Sequence, residues 1–379
     1  MTGPSAEGTL FREQVRRFVA AEIAPHVRAW DEAGSFPREL YAKAAAIGLL
    51  GVGYPEAYGG TPAPLSLRLA ITQEIAQAGS GGLMASLFSH NIGLPPILAH
   101  GSEALKREVI PDVLAGRKIA ALAITEPGGG SDVAHLQCRA RREGDEWVVD
   151  GEKTFITSGV RADWITLAVR TGGPGAAGIS LLAVPGDAPG LERTRLEKMG
   201  WWCSDTAHLR FDACRVPAEH VIGEENAGFR MIMRNFNDER LMMSAIAAAF
   251  ARVCHDEALD WARARTTFGA RLVEHQVIRH KLMDMRMRLA STDAWIEQVV
   301  ARAEGGDASP EWVADVCLLK NHATQTMQAC ADQAVQILGG MGYVRGTKSE
   351  RIYREVKVMM IGGGAEEIMK ELAARQLGV

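Results

Sequence analysis

Ala123-Ile124-Thr125-Glu126-Pro127-Gly128-Gly129-Gly130-Ser131-Asp132 lies near the point where one periodicity gives way to another. Upstream, from Phe11 to about Arg117, the chain is rich in Ala, Leu, Arg and Glu. It is punctuated there by Gly34-Ser35-Phe36-Pro37 and Tyr58-Gly59-Gly60-Thr61-Pro62, which reads as several helices joined by turns. From Lys118 to about Gly223 the period becomes two: Ile165, Leu167 and Val169 alternate with Thr166, Ala168 and Arg170, and Ile179, Leu181 and Ala183 repeat the behaviour, so a β-domain is expected. After Gly223 the helical period returns, with Met242, Ile246, Ala249 and Val253 on one stripe and Ile278, Leu282, Met285, Leu289, Ile296 and Val299 on another. Glu304-Gly305-Gly306-Asp307-Ala308-Ser309-Pro310 separates two of these long helices as a solvated turn. The expected fold class is α+β, mostly α, with a helical domain over 1–117, a β-domain over 118–225 and a second helical domain over 226–379.

Composition narrows the function. A chain of 379 residues, 47% hydrophobic and 23% charged, can bury a large core. Lys+Arg of 42 against Asp+Glu of 46 gives a net charge of −4, with no basic block, so the field that attracts nucleic acid is missing. The longest apolar stretches, such as Met242 to Phe250, fall far short of the ~20 residues of a membrane span. Met1 to Ala20 carries Glu7, Arg12, Glu13, Arg16 and Arg17 without an unbroken apolar run, and reads as mature protein rather than a targeting segment. Cys138, Cys203, Cys214, Cys254, Cys317 and Cys330 form no CxxC pair, which suits reduced thiols in a cytoplasm and argues against structural zinc.

Two glycine-rich strings compete for attention. Gly173-Pro174-Gly175-Ala176-Ala177-Gly178 satisfies the dinucleotide fingerprint, but it leads from one strand into another, so no helix N-terminus faces a phosphate and a hairpin loop is expected. The 123–132 string offers two hydroxyls and three glycines that permit close ligand approach. On these residues alone it is either a loop presenting N–H groups to an anion or a flavin, or a polar connection into the β-domain.

The string closely resembles the first signature of the acyl-CoA dehydrogenases, flavoenzymes that place an α,β double bond in acyl-CoA thioesters. The resemblance implies FAD contacts at Ile124, Thr125, Gly130 and Ser131. Phe155-Ile156-Thr157-Ser158-Gly159 resembles the family segment over the flavin ring, with Phe155 where many members have Trp and Thr157 as a flavin hydrogen-bond partner; an aromatic in a strand core is the alternative. Arg265-Thr266-Thr267-Phe268-Gly269 and Gln276 resemble the motif at the dimer interface, where FAD diphosphate and adenosine are reached largely from a neighbouring subunit; Arg265 alone could equally be a solvated helix end. Gln336-Ile337-Leu338-Gly339-Gly340-Met341-Gly342-Tyr343 resembles the second signature, implying FAD contacts at Gln336, Gly339 and Gly340. His135 and Gly346 depart from the usual strings, standing where the family has a small residue and an acid or amide.

Removing the weakly acidic α-proton of a saturated thioester needs a carboxylate over Cα in a dry pocket. In much of the family that glutamate precedes Gly-Thr near the C-terminus. The matching stretch here is Ile361-Gly362-Gly363-Gly364-Ala365-Glu366-Glu367-Ile368, with Gly363 in the glutamate position. Long-chain and isovaleryl members carry the base on another helix, in a segment resembling Phe236-Asn237-Asp238-Glu239-Arg240-Leu241, which makes Glu239 the candidate. The alternative is that Asp238 and Glu239 merely favour the positive end of a helix beginning near Asn237. Gly363 can still offer its N–H to the thioester carbonyl; Ser131, Asn237 and Arg240 match positions around the CoA thioester, and Ala365 and Glu367 positions near the cofactor.

The resemblance runs from about Leu10 to the end. It implies a helical N-domain, a barrel-like β-domain, a four-helix C-domain, FAD, a homotetramer, a long- or branched-chain acyl-CoA substrate of fatty-acid β-oxidation, and electron-transfer flavoprotein as acceptor. A flavin oxidase or monooxygenase of the same fold, and a non-catalytic FAD- or acyl-CoA-binding relative without its base, are the competing readings.

Overall fold

Helix ends follow local chemistry in the computed structural model, which describes residues 6–379; the first five residues of the Met1–Ala20 stretch lie outside the described residues. The N-terminal part holds α1 (Ala6–Phe18), α2 (Val27–Ala33), α3 (Glu39–Ala46), α4 (Leu65–Ala76), α5 (Gly81–Leu87), α6 (His90–Gly93), α7 (Pro95–His100) and α8 (Glu103–Leu114). Ser102 caps α8 by accepting the Leu105 N–H.

Strands β1 (Ala120–Ala123), β2 (Arg139–Glu143), β3 (Glu146–Ile156), β4 (Trp164–Arg170), β5 (Ile179–Pro185), β6 (Leu191–Arg195), β7 (Ala207–Pro217) and β8 (Val221–Ile222) follow. They pair in the order β6-β7-β3-β2-β4-β5-β8, with β1 lying parallel to β4. β4 and β5 are antiparallel from Trp164–Pro185 to Arg170–Ile179, so Gly173–Gly178 is the connection of a hairpin. The period of two in β4 does not separate a wet face from a dry one. Ile165, Leu167 and Val169 pack inside the sheet with Trp147, Val149 and Phe211. Trp164 and Ala168 pack outward on Ile97, Leu105, Val109 and Ile232. Thr166 is also buried, its hydroxyl donating to Gly93 O at 2.6 Å. Helices cover the outer face while the inner one packs against other strands of the same sheet, and the strand reads as a nearly continuous buried run.

The C-terminal part is α9 (Gly228–Ala264), the two-residue strands β9 (Thr266–Thr267) and β10 (Ala270–Arg271), α10 (Gln276–Glu304), α11 (Pro310–Leu338), α12 (Gly340–Tyr343), α13 (Lys348–Ile361) and α14 (Glu366–Leu377). Ser309 and Pro310 start α11, and Gly339 ends it at φ +63°. Leu282, Met285 and Leu289 of α10 join Ala249 and Val253 of α9, Met327 of α11 and Val356 of α13 in one core. α9 begins at Gly228 rather than near Asn237, because Gly228 lies flat on β5: an added Cβ would sit 2.8 Å from Ser180 C and 2.9 Å from Ile179 O. Asp238 and Glu239 therefore lie inside the helix, away from its free N–H groups, and the helix-end explanation for them fails.

All six cysteines are buried and free. Among the described residues no helix is long and apolar enough to cross a membrane, and no cluster of His, Cys, Asp and Glu could hold a metal ion.

Because Gly228 sets the distance between α9 and the sheet, Gly228→Ala is expected to cost about 1–3 kcal/mol in a urea unfolding titration; an unchanged midpoint would show that α9 can ride off β5 freely.

Candidate active site

Three groups of residues collect the positions singled out in the sequence. The first forms where β1 runs out. Thr154 N–H donates to Thr125 O at 2.9 Å, tying the 123–132 string to the end of β3. Beneath that link Lys153, fully buried, donates from Nζ to Ile124 O at 2.9 Å and to Glu126 Oε1 at 2.8 Å. Glu126 also accepts the N–H groups of Gln137 and Cys138 at 2.6 and 2.9 Å. Burial raises the Glu126 carboxyl, but Lys153 and the two N–H groups outweigh it and hold the group below the usual carboxylate range. A Cβ at Gly128 or Gly129 would meet nothing within 4 Å, and none of the three glycines needs a positive φ. The fold does not require Gly128 or Gly129, which leave bare backbone open to a ligand, whereas a Cβ at Gly130 would press on Thr125 Cγ2 at 3.3 Å.

Phe155 is not in the strand core. Between the pairs Lys153–Leu209 and Ile156–Ala207, β3 carries one residue more than β7, and this bulge turns Phe155 to φ +61° with its side chain 69% exposed. An aromatic held there costs about 1–3 kcal/mol, strain of a kind that gathers at functional sites. Thr157 follows half-buried, Ser131 is exposed, and His135 is an exposed partner of Asp132 at 2.7 Å.

The second group joins α9 to the loop between α13 and α14. Arg240, 5% exposed, donates from Nε to Gly363 O at 3.1 Å and from Nη1 to Asn237 Oδ1 at 3.0 Å. Glu239 beside it has a buried Oε2 with no hydrogen-bond partner. Burial pushes its carboxyl up to about 7, against the opposing pull of Arg240 and Lys320. Gly363 sits at φ +65° and Gly364 at φ +112°. A Cβ at Gly363 would lie 2.7 Å from Met243 Sδ, one helical turn beyond Glu239. The place where a side chain at 363 would begin is filled from α9. Ala365 is the N-cap of α14, whose first turn contains Glu366 and exposed Glu367; Glu366 is held by Gln325 and Lys370, each at 2.7 Å.

The third group lies at one end of the helical bundle. Arg265 ends α9, Gln276 begins α10, and between them Phe268 and Gly269, at φ +50° and +77°, turn the β9–β10 hairpin and leave Phe268 wholly exposed. Lys281 Nζ donates to Gln333 Oε1 at 2.5 Å, bringing the end of α11 with exposed Gln336, Gly339 and Gly340 to the same end. A Cβ at Gly339 or Gly340 would again meet nothing. Among the described residues no hydrogen bond joins this third group to the Thr125 loop or to Glu239.

A cofactor with a planar ring and a diphosphate fits these surfaces: Phe155 and the bare 128–130 backbone could flank a ring, while Arg265 and Gln276 offer donors suited to phosphate. Sequence reasoning missed Glu126, Lys153, Met243 and Lys320. Two of them carried a signal, since Lys153 stands in a strand and Lys320 on the buried stripe Val316, Ala323, Met327 of α11.

Residues 5–117 match the family model "Acyl-CoA dehydrogenase, N-terminal domain", 121–214 the middle domain and 226–378 the C-terminal domain. The chain is 34% identical to the mitochondrial long-chain specific acyl-CoA dehydrogenase of Sus scrofa, covering 98% of this chain and 87% of that protein. It is 33% identical to the mitochondrial isovaleryl-CoA dehydrogenase of Oryza sativa, covering 97% and 90%. The crystal structure of acyl-CoA dehydrogenase from Geobacillus kaustophilus superposes with a TM-score of 0.95 at 34% identity, covering all of both chains.

Lys153→Met leaves Glu126 buried beside two N–H groups without its cation, and is expected to destabilise the protein by about 3–5 kcal/mol in chemical denaturation; a loss below about 1 kcal/mol would mean that the pair does not brace this loop.

Proposed function

The chain belongs to the acyl-CoA dehydrogenase family, and on that premise we propose that it oxidises a saturated long- or branched-chain acyl-CoA to the trans-2-enoyl thioester with Glu239 as the α-proton base. The observation that carries this reading is the buried, unpartnered Oε2 of Glu239, together with a Gly363 position whose side-chain space Met243 occupies. The names of the long-chain and isovaleryl relatives support the substrate class.

FAD, the family's cofactor, supplies a hydride acceptor for the β-carbon. Ile124, Thr125, Gly130, Ser131, Phe155 and Thr157 would hold its ring end, with Ala365 and Glu367 near it. Arg265, Phe268, Gln276, Gln336, Gly339 and Gly340, unconnected to that loop within one chain, would hold the nucleotide end bound by a second copy. The exposed side chains of Phe268, Met283, Met287 and Tyr343 around that end support a homo-oligomer, read as a tetramer. Ser131, Asn237 and Arg240 would line the thioester.

The chemistry of the chain's own residues follows. The Gly363 N–H has no acceptor among the described residues and is free to polarise the thioester carbonyl, which acidifies Cα. Glu239, whose Oε2 is buried without a hydrogen-bond partner, takes the α-proton. The same reading divides the chain after 117 and 225, places it in the cytoplasm and in β-oxidation, and gives its electrons to electron-transfer flavoprotein.

Anaerobic addition of saturated acyl-CoAs of graded length and branching should bleach the flavin band with one group of them; a flavin that none of them bleaches would overturn the reading, and rapid consumption of oxygen during turnover would reassign the acceptor. Glu239→Gln should retain FAD and slow reduction by about 10²–10⁴-fold. Only the ionised carboxylate is a base, so the rate of reduction should rise with pH through about 7 and be lost below it.

A further inference from the structure

Lys320 is fully buried in the middle of α11, and among the described residues it forms no ion pair. Its ammonium donates to Met360 O at 2.9 Å and to Gly364 O at 2.8 Å. Both carbonyls belong to the segment in which α13 stops. Burying an ammonium against two carbonyls is expensive without a purpose, since a neutral side chain of the same length would fill the space at lower cost.

The purpose lies in what these bonds hold. Gly362, Gly363 and Gly364 have no side chains to pack, so nothing but their backbone contacts selects one conformation from the many that glycine allows. Those contacts are few. Gly362 N–H donates to Val358 O at 2.7 Å, Arg240 Nε holds Gly363 O, and Lys320 Nζ holds the carbonyls on either side of that point, at Met360 and Gly364. The carbonyls at the end of α13 are also the negative pole of a helix, where a cation is favoured.

Building on the Glu239 reading, we propose that Lys320 is a positioning residue of this site: it fixes the Gly362–Gly364 loop in the shape that presents the Gly363 N–H, and it places a positive charge on the Glu239 side of that loop. The ionisable neighbours agree with this role. Glu239 is faced by Arg240 from its own helix and Lys320 from α11, both favouring the carboxylate. Lys320 is faced by Arg240 and Glu239 from α9, Cys317 from its own helix and Glu366 from α14, and the glycine loop contributes no ionisable group. Burial and Arg240 lower the Lys320 ammonium to about 8, so it is charged at the pH where Glu239 ionises.

The test is the pH profile of flavin reduction in the FAD-loaded protein, using the acyl-CoA that bleaches wild type most completely. Lys320→Met keeps the unbranched shape and most of the length of the side chain and removes the charge and the donors. It should slow reduction by about 10²-fold through the loosened loop, and should move the rising limb upward by about one pH unit because Glu239 loses a cationic neighbour. Lys320→Gln, which keeps a donor, should recover part of the rate but not the position of the limb, and it also serves if the Met variant does not fold. A limb at the wild-type pH in whichever variant retains FAD would overturn the proposal, as would a wild-type rate for Lys320→Met. Glu239→Gln is run beside them: if it is reduced at the wild-type rate, the Glu239 reading itself falls, whereas a dead Glu239→Gln with an unmoved limb in the Lys320 variants removes Lys320 alone.

Discussion

The seam between α9 and α11 is the constraint on which the site depends. Ala247, Ala251 and Ala258 of α9 and Ala323, Ala331 and Ala334 of α11 lie in one buried cluster, and their small side chains let the two long helices approach closely. That approach fixes what is carried above it: Glu239, Arg240 and Met243 on one helix and Lys320 and Asn321 on the other, with Arg240 holding the Gly363 carbonyl, Lys320 the Gly364 carbonyl and Asn321 the Glu366 carbonyl. Close-packed interiors deform little, so a change of volume in the seam is passed to the loop rather than absorbed.

Two buried carboxylates show how the same desolvation is turned to opposite ends. Glu126 touches a buried lysine and two N–H groups, and is held ionised as a brace under the 123–132 loop. Glu239 has cations nearby, but its Oε2 lacks a partner, and its carboxyl rises to about 7. A nearby cation and hydrogen bonds to the ionised form work against the burial that favours the protonated one. A raised carboxyl alone does not mark a site, however. Burial also raises Glu355 to about 7, and its oxygens are occupied by the N–H groups of Gly81 and Gly82, where it holds α5 against α13.

Much of the fold was legible in order along the chain. The change of period at Lys118 precedes β1, the turn from Glu304 to Pro310 separates α10 from α11 as expected, and the hairpin nature of Gly173–Gly178 follows from the strands on either side. The start of α9 was not legible, because Gly228 is dictated by contact with β5 and not by a capping residue. Nor was the exposure of Phe155, which needs the extra residue of a bulge that exists only when β3 is paired with β7.

The sequence by itself determined the helix, sheet, helix order, the net charge and the residue types available for chemistry, because periodicity, charge and glycine placement are properties of neighbours along the chain. Tertiary structure decided which of those residues meet. Met243 beside Gly363, Arg240 on the Gly363 carbonyl, Lys153 on the Glu126 carboxylate and Lys320 under the glycine loop are pairings across 27 to 123 positions. Whether a carboxylate is braced or left free to react depends on which donors such distant pairings bring to it, and no local pattern records that.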